Sequence, residues 1–183
     1  MRHAPSLLFV LALAGSCSST SSQVDRMYRG LHEDVRDRGA DPRAARELAE
    51  RNANRAAKIR RIAEAGELEG GPDHLKAAVI LVETDDMENL ELSLVLALKA
   101  VEFGEPLGRR VAAEAIDKQL VKTQQQQKYG TQYEWVPVLS AWRLYPLDPE
   151  TTDAEREGMG VPRLSELLEG EARLNERFRP KSR

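Results

Sequence analysis

The chain has one cysteine in 183 residues, which excludes an internal disulfide and leaves stability to a packed core. Histidine is scarce as well, with three residues, so the imidazole that usually supplies metal ligands and near-neutral acid–base groups has few places to come from. Neither sign of charge dominates. The net charge is −3 with acidic and basic residues well mixed, and the basic footprint of a nucleic-acid binder is missing. Beyond the first seventeen residues no apolar run approaches the roughly 20 residues that cross a bilayer. G-x-S-x-G, H-E-x-x-H and phosphate-loop patterns are absent too, so the sequence announces no nucleophile elbow, zinc helix or nucleotide cradle and implies no cofactor.

What is present begins at the start of the chain. Arg2 supplies a positive charge, Leu7 to Leu13 is uninterrupted apolar sequence, and Ala14-Gly15-Ser16 are small residues leading to Cys17. These are the three regions of a secretory signal peptide, too short to span a membrane. A lone cysteine directly after the small residues has the form of a bacterial lipobox. Cleavage before Cys17 would leave a diacylglyceryl thioether and an acylated amine there, and more than one acyl chain makes anchoring stable. The expected divisions are a signal peptide over 1–16, a lipidated Ser-rich tether over 17–23, one mostly helical domain over 24–178 and a basic tail over 179–183. The expected place is the bacterial cell envelope, lipid-anchored and facing the periplasm or the exterior, with the membrane as one partner and an envelope protein or the cell wall as another.

Helical periodicity dominates the domain. Val24, Met27, Tyr28, Leu31 and Val35 share one face, and Asp41-Pro42 restarts a helix with Pro in the first turn. Ala45, Leu48, Asn52, Ala56, Ile59 and Ala63 form the next stripe, broken by Gly66 and Gly70-Gly71-Pro72. Two strongly apolar helices are expected over 74–84 and 89–103, the second apolar nearly all round and therefore a buried centre. A further helix carries Val111, Ala112, Ala115, Ile116 and Leu120. From Tyr129 the period changes to two: Thr131, Tyr133 and Trp135 alternate with polar residues, and Trp142 to Tyr145 alternate again, which predicts a β-hairpin packed on the helices. Thr152 and Glu155 have capping-box spacing before a last helix with Leu164, Leu167, Leu168 and Leu174. The expected class is mainly α (α+β), a helical domain with a small hairpin in its C-terminal half.

Gln127-Lys128-Tyr129-Gly130-Thr131-Gln132 resembles the Q-x-Y-G-T-Q signature of an uncharacterised bacterial domain-of-unknown-function family. The similarity continues through Ala97-Leu98-Lys99-Ala100 with Gly104, Ala115-Ile116-Asp117-Lys118, Tyr145-Pro146-Leu147-Asp148-Pro149, Thr151 to Arg156 and Val161-Pro162-Arg163-Leu164, covering about 68–176. The resemblance implies a shared fold and carries no activity with it. It also implies a loss: where the family pattern has histidines, this chain holds Lys76, Glu83 and Leu94. His32 and His74 lie outside that pattern and are expected on the solvated surface.

The remaining candidates for chemistry are Glu83, Asp85, Asp86, Asp117, Tyr129 and Gln132. The carboxylates from Glu83 to Asp86 could hold a hard cation through oxygen, or form a solvated loop and cap the next helix. Gly130 could ease the turn from helix to strand, and Gln132 could satisfy buried backbone groups. Two functions stand against each other: a non-catalytic envelope binding module, and a hydrolase-like enzyme using Asp117, Glu83 and Tyr129 around a small cleft.

Overall fold

The structure, a computed structural model, describes residues 19–36 and 42–178. The stretch expected to be a signal peptide, Cys17 and the basic tail lie outside the described residues. Seven α-helices and one two-stranded hairpin are found among them: α1 Thr20–Arg36, α2 Pro42–Glu64, α3 Gly70–Val82, α4 Met87–Glu102, α5 Gly108–Lys122, β1 Tyr133–Val136, β2 Ala141–Leu144, α6 Asp153–Gly158 and α7 Leu164–Phe178. The mainly α fold with a C-terminal-half hairpin is therefore as the periodicity required. None of the described helices is long and apolar enough to cross a membrane.

The core lies where α3, α4 and α5 stack as successive antiparallel helices, with α1 and α2 laid across α3. Ala77, Ala78, Ile80, Leu81 and Val82 of α3 meet Leu90, Leu96 and Ala97 of α4 and Val111, Ala112 and Ala115 of α5. The abundance of alanine lets backbones approach closely. At Gly108 the approach leaves no room at all, since a Cβ there would stand 2.4 Å from the Ala97 carbonyl oxygen. Ser93, fully buried in α4, donates to the Ala78 carbonyl of α3 at 2.8 Å, so this buried hydroxyl is satisfied.

Several expectations need correction. Helix α1 starts at Thr20, so residues 20–23, expected in a flexible tether, already belong to the helix. Gly70-Gly71-Pro72, expected as a break, is instead the first turn of α3. The fourth helix is not buried all round: Val95 and Leu98 are 60% and 47% exposed. Leu90, Ser93, Leu96, Ala97 and Ala100 form its inward stripe, and an all-apolar circumference hides which side that is. His74, expected at the surface, is buried, with Nδ1 2.6 Å from the Gly70 carbonyl oxygen and its ring against Phe103.

The hairpin begins two residues later than the alternation suggested. Its register pairs Tyr133 with Leu144, Glu134 with Arg143, Trp135 with Trp142 and Val136 with Ala141, and the two indoles meet edge to face at 5.8 Å. Rather than lying on α3 and α4, it is covered chiefly by α7. Asn175 accepts from the Trp142 amide at 2.7 Å and donates to the Trp142 carbonyl at 2.9 Å. Glu171 accepts from the Leu144 amide at 2.7 Å. Side chains of a helix thus complete the outer edge of β2, which would otherwise expose unpaired backbone groups. The capping box of α6 forms as expected, Glu155 N–H to Thr152 Oγ1 at 3.2 Å and Thr152 N–H to Glu155 Oε2 at 2.8 Å.

Candidate functional site

Asp117 sits on the side of α5 facing the returning chain and is fully buried. After α5 the backbone reverses, with Gln124 in the left-handed region at φ 59°, and residues 128–131 pass directly over the Asp117 carboxylate. Oδ1 accepts from the amides of Lys128 at 2.8 Å and Tyr129 at 2.9 Å. Oδ2 accepts from the amides of Gly130 and Thr131 and from Thr131 Oγ1, each at 2.9 Å. Successive N–H groups converging in this way make an anion nest, and here the anion is the protein's own side chain. Gly130 makes the turn feasible. It adopts φ +94°, and a Cβ on it would stand 2.5 Å from Leu167 Cδ1.

Gln127, also fully buried, ties the same loop to the hairpin. Its Oε1 accepts from the Gln132 amide at 2.9 Å, and its Nε2 donates to the carbonyls of Gln132 at 3.1 Å and Tyr145 at 2.9 Å. Tyr129 turns away from solvent and packs with Ala113, Val161 and Leu167. The Y-G-T-Q segment is therefore a structural joint, with the helix-to-strand role expected of Gly130. The backbone-satisfying role anticipated for Gln132 falls to Gln127.

Glu83 and Gln132 come together; Asp117 and Tyr129 do not join them. The first two line a cleft of about 450 Å³ with Lys118, Lys122, Tyr133 and Tyr145. Lys118 Nζ donates to the Val82 carbonyl at 2.5 Å and lies 3.5 Å from Glu114. Lys122 Nζ donates to the Asp85 carbonyl at 2.8 Å and lies 3.1 Å from its carboxylate. Two ammonium groups at the C-terminal end of α3 complement its negative dipole end. Asp117 and Lys118 are neighbours in sequence, so the helix sends one into the joint and the other to the cleft.

The acidic run from Glu83 to Asp86 is divided among separate tasks. Asp85 pairs with Lys122, whereas Asp86 caps α4 by accepting from the Asn89 amide at 2.9 Å. On the other side of this segment a second cleft, about 420 Å³, is lined by Asn52, Arg60 and Asn89. There Arg60 donates to Asn89 Oδ1 at 2.7 Å and pairs with Glu88 at 2.7 Å. Among the described residues no three His, Cys, Asp or Glu side chains are grouped to hold a metal ion.

Glu114 was not singled out by sequence. Burial pushes its carboxyl above the ordinary glutamate range, and the nearby negative charge of Glu83 adds to this while Lys118 and Arg110 oppose it. Its one sequence signal is the Glu-to-Lys spacing of four to Lys118, which puts both on one helix face. Burial and the charge of Glu171 likewise raise Tyr133. The cleft thus has charges of both signs on its helical side and an amide and two phenols on its hairpin side. Comparison of the chain with protein-family models, curated proteins and solved structures gives no match.

Proposed function

We propose that this chain is a lipoprotein of the bacterial envelope, acylated at Cys17, whose helical domain is a non-catalytic binding module for a cell-wall or envelope-protein partner. The observation that carries the non-catalytic part is the position of Asp117. All five of its close donors come from the 128–131 segment, and the carboxylate does not line the cleft. A carboxylate held in that way anchors a loop and has no open side from which to take a proton from a ligand. The cleft itself supports binding: Gln132, Tyr133 and Tyr145 offer hydrogen bonds and ring surface, and Glu83 and the lysines suit a partner with both charges, as sugar–peptide cell-wall units have.

One observation favours the hydrolase alternative, namely the Glu114 carboxyl, raised by burial and by the charge of Glu83, since a carboxyl shifted upward near another carboxylate is the direction a general acid needs. Incubation with purified cell-wall sacculi separates the readings. The binding module predicts co-sedimentation that Gln132→Ala with Tyr145→Ala weakens, without release of soluble fragments. Fragment release abolished by Glu114→Gln would establish the hydrolase. Protein left wholly in the supernatant would refute the cell-wall partner.

A further inference from the structure

The turn between α4 and α5 ends in an apolar tip. Phe103 and Leu107, on either side of Gly104-Glu105-Pro106, are 53% and 63% exposed, two large apolar side chains presented by one turn. This tip shares one end of the bundle with the start of α1. Gly71, in the first turn of α3, packs against Phe103 and Glu105. Two residues on, Asp73 accepts a hydrogen bond from Ser21 Oγ at 2.6 Å, and Thr20 Oγ1 reaches Glu67 at 3.3 Å. The C-terminal end of α3, with the cleft, is the opposite end.

The chain between Cys17 and α1 is short. Helix α1 begins at Thr20, three residues after Cys17, and three residues span at most about 10 Å. Acyl chains on Cys17 would therefore hold the end bearing Phe103 and Leu107 directly against the lipid surface. Glu67, Glu69 and Glu102 are exposed at this end together with Lys99 and Arg109, and charges of both signs give no net pull toward anionic headgroups. The occupant that fits is the acyl–headgroup boundary of a zwitterionic bilayer, reached by apolar side chains. We propose that the α4–α5 turn is a second membrane contact, in which Phe103 and Leu107 enter the lipid interface beside the acylated Cys17. It rests on the lipoprotein reading given above. The domain would then stand upright on the membrane with its cleft facing away, toward the wall.

The test uses the full chain, purified from bacterial membranes and placed in phosphatidylcholine–phosphatidylethanolamine vesicles with brominated acyl chains. Acylation consumes the only native thiol, so an environment-sensitive fluorophore reports one site at a time in Leu107→Cys, Gln125→Cys and Val138→Cys. Leu107 and Gln125 flank opposite ends of α5, roughly 20–25 Å apart for a helix of this length. Val138, 89% exposed in the hairpin loop, represents the rival apolar surface. Expected is bromine quenching at 107 several-fold stronger than at 125 or 138. Equal quenching at 107 and 125 on fatty-acid-labelled protein overturns the contact and leaves the lipoprotein reading intact. Quenching at 138 alone also overturns it and turns the hairpin to the membrane. A blue shift at 107 without quenching means a protein contact, which refutes a lipid one. Absence of fatty-acid label on the wild-type chain removes the lipoprotein reading, and the proposal with it.

Discussion

The side chain of Gln127 and the backbone of Gln132 bond in both directions: the Gln132 amide donates to Oε1 at 2.9 Å, and Nε2 donates back to the Gln132 carbonyl at 3.1 Å. A side-chain amide here imitates a neighbouring strand. It continues the hairpin ladder one step past the Tyr145 amide, which donates to the Gln132 carbonyl at 3.2 Å. The loop and the hairpin are thus one unit.

Removing Gln127 should release that unit. Gln127→Ala leaves the Gln132 amide and the Tyr145 carbonyl without their buried partner, and one such group costs roughly 1–3 kcal/mol. The expected loss is at least about 2 kcal/mol. Both tryptophans of the chain, Trp135 and Trp142, lie in the hairpin, so their fluorescence should report loosening at lower denaturant than helical circular dichroism does. Gln132→Ala removes a bond to Thr131 Oγ1 at 2.8 Å and should shift stability far less. Equal effects of the two substitutions would contradict the pairing.

Asp117→Asn tests the nest. The amide has the same shape, yet its NH2 must face two of the backbone donors that now point at a carboxylate oxygen. Hydrogen bonds to a charged acceptor are each worth about 1.5–3 kcal/mol, so a loss of roughly 3 kcal/mol is expected, read by urea unfolding. Little change in stability would mean that the carboxylate is held for another purpose.

The parts of this fold visible in sequence are those fixed by near neighbours. Thr152 and Glu155 meet across one helical turn, and Pro42 starts α2, because the determinants are three residues apart or fewer. The joint was not visible in this way. Asp117 meets amides 11 to 14 residues further on, and no local spacing marks a carboxylate that waits for a returning chain. Asn175 and Glu171 of α7 finish the edge of β2, and nothing in the spacing of their own helix marks them for it. Gly130 was legible as a turn, but its second constraint, the Leu167 methyl, belongs to another element. In α4 the pattern itself failed: where nearly every position is apolar, periodicity cannot select a face.

Neighbouring positions in α4 make that last point measurable. Leu96 is 6% exposed and Val95 60%. Leu96→Ala should cost roughly 2–5 kcal/mol, the range for a buried leucine. Val95→Ala should stay within about half a kcal/mol, as at other surface positions. Thermal and chemical unfolding of both variants decide it, and similar losses would mean that the exposed side of α4 is covered by something.

Glu114 gives the stability curve a definite sign with pH. Its folded-state value is raised, by burial and then by Glu83, against Lys118 and Arg110. A raised carboxyl favours the folded state fully below its unfolded value, where both states hold the proton. That contribution is lost as pH rises through the folded value. Glu114→Gln carries no ionisable carboxyl and escapes this loss. The melting temperature of the variant minus that of the wild type should therefore rise as pH climbs from the ordinary glutamate range through the raised folded-state value, and then level off. Asp34, whose two arginine partners Arg51 and Arg55 outweigh burial and hold it below the ordinary range, has the opposite slope but is common to both proteins and cancels in the difference. Lys118 supplies the counter-test. Were its ion pair with Glu114, 3.5 Å apart, the stronger influence, the variant would instead fall behind the wild type as pH rises, and the upward shift of Glu114 on which the hydrolase alternative depends would be excluded.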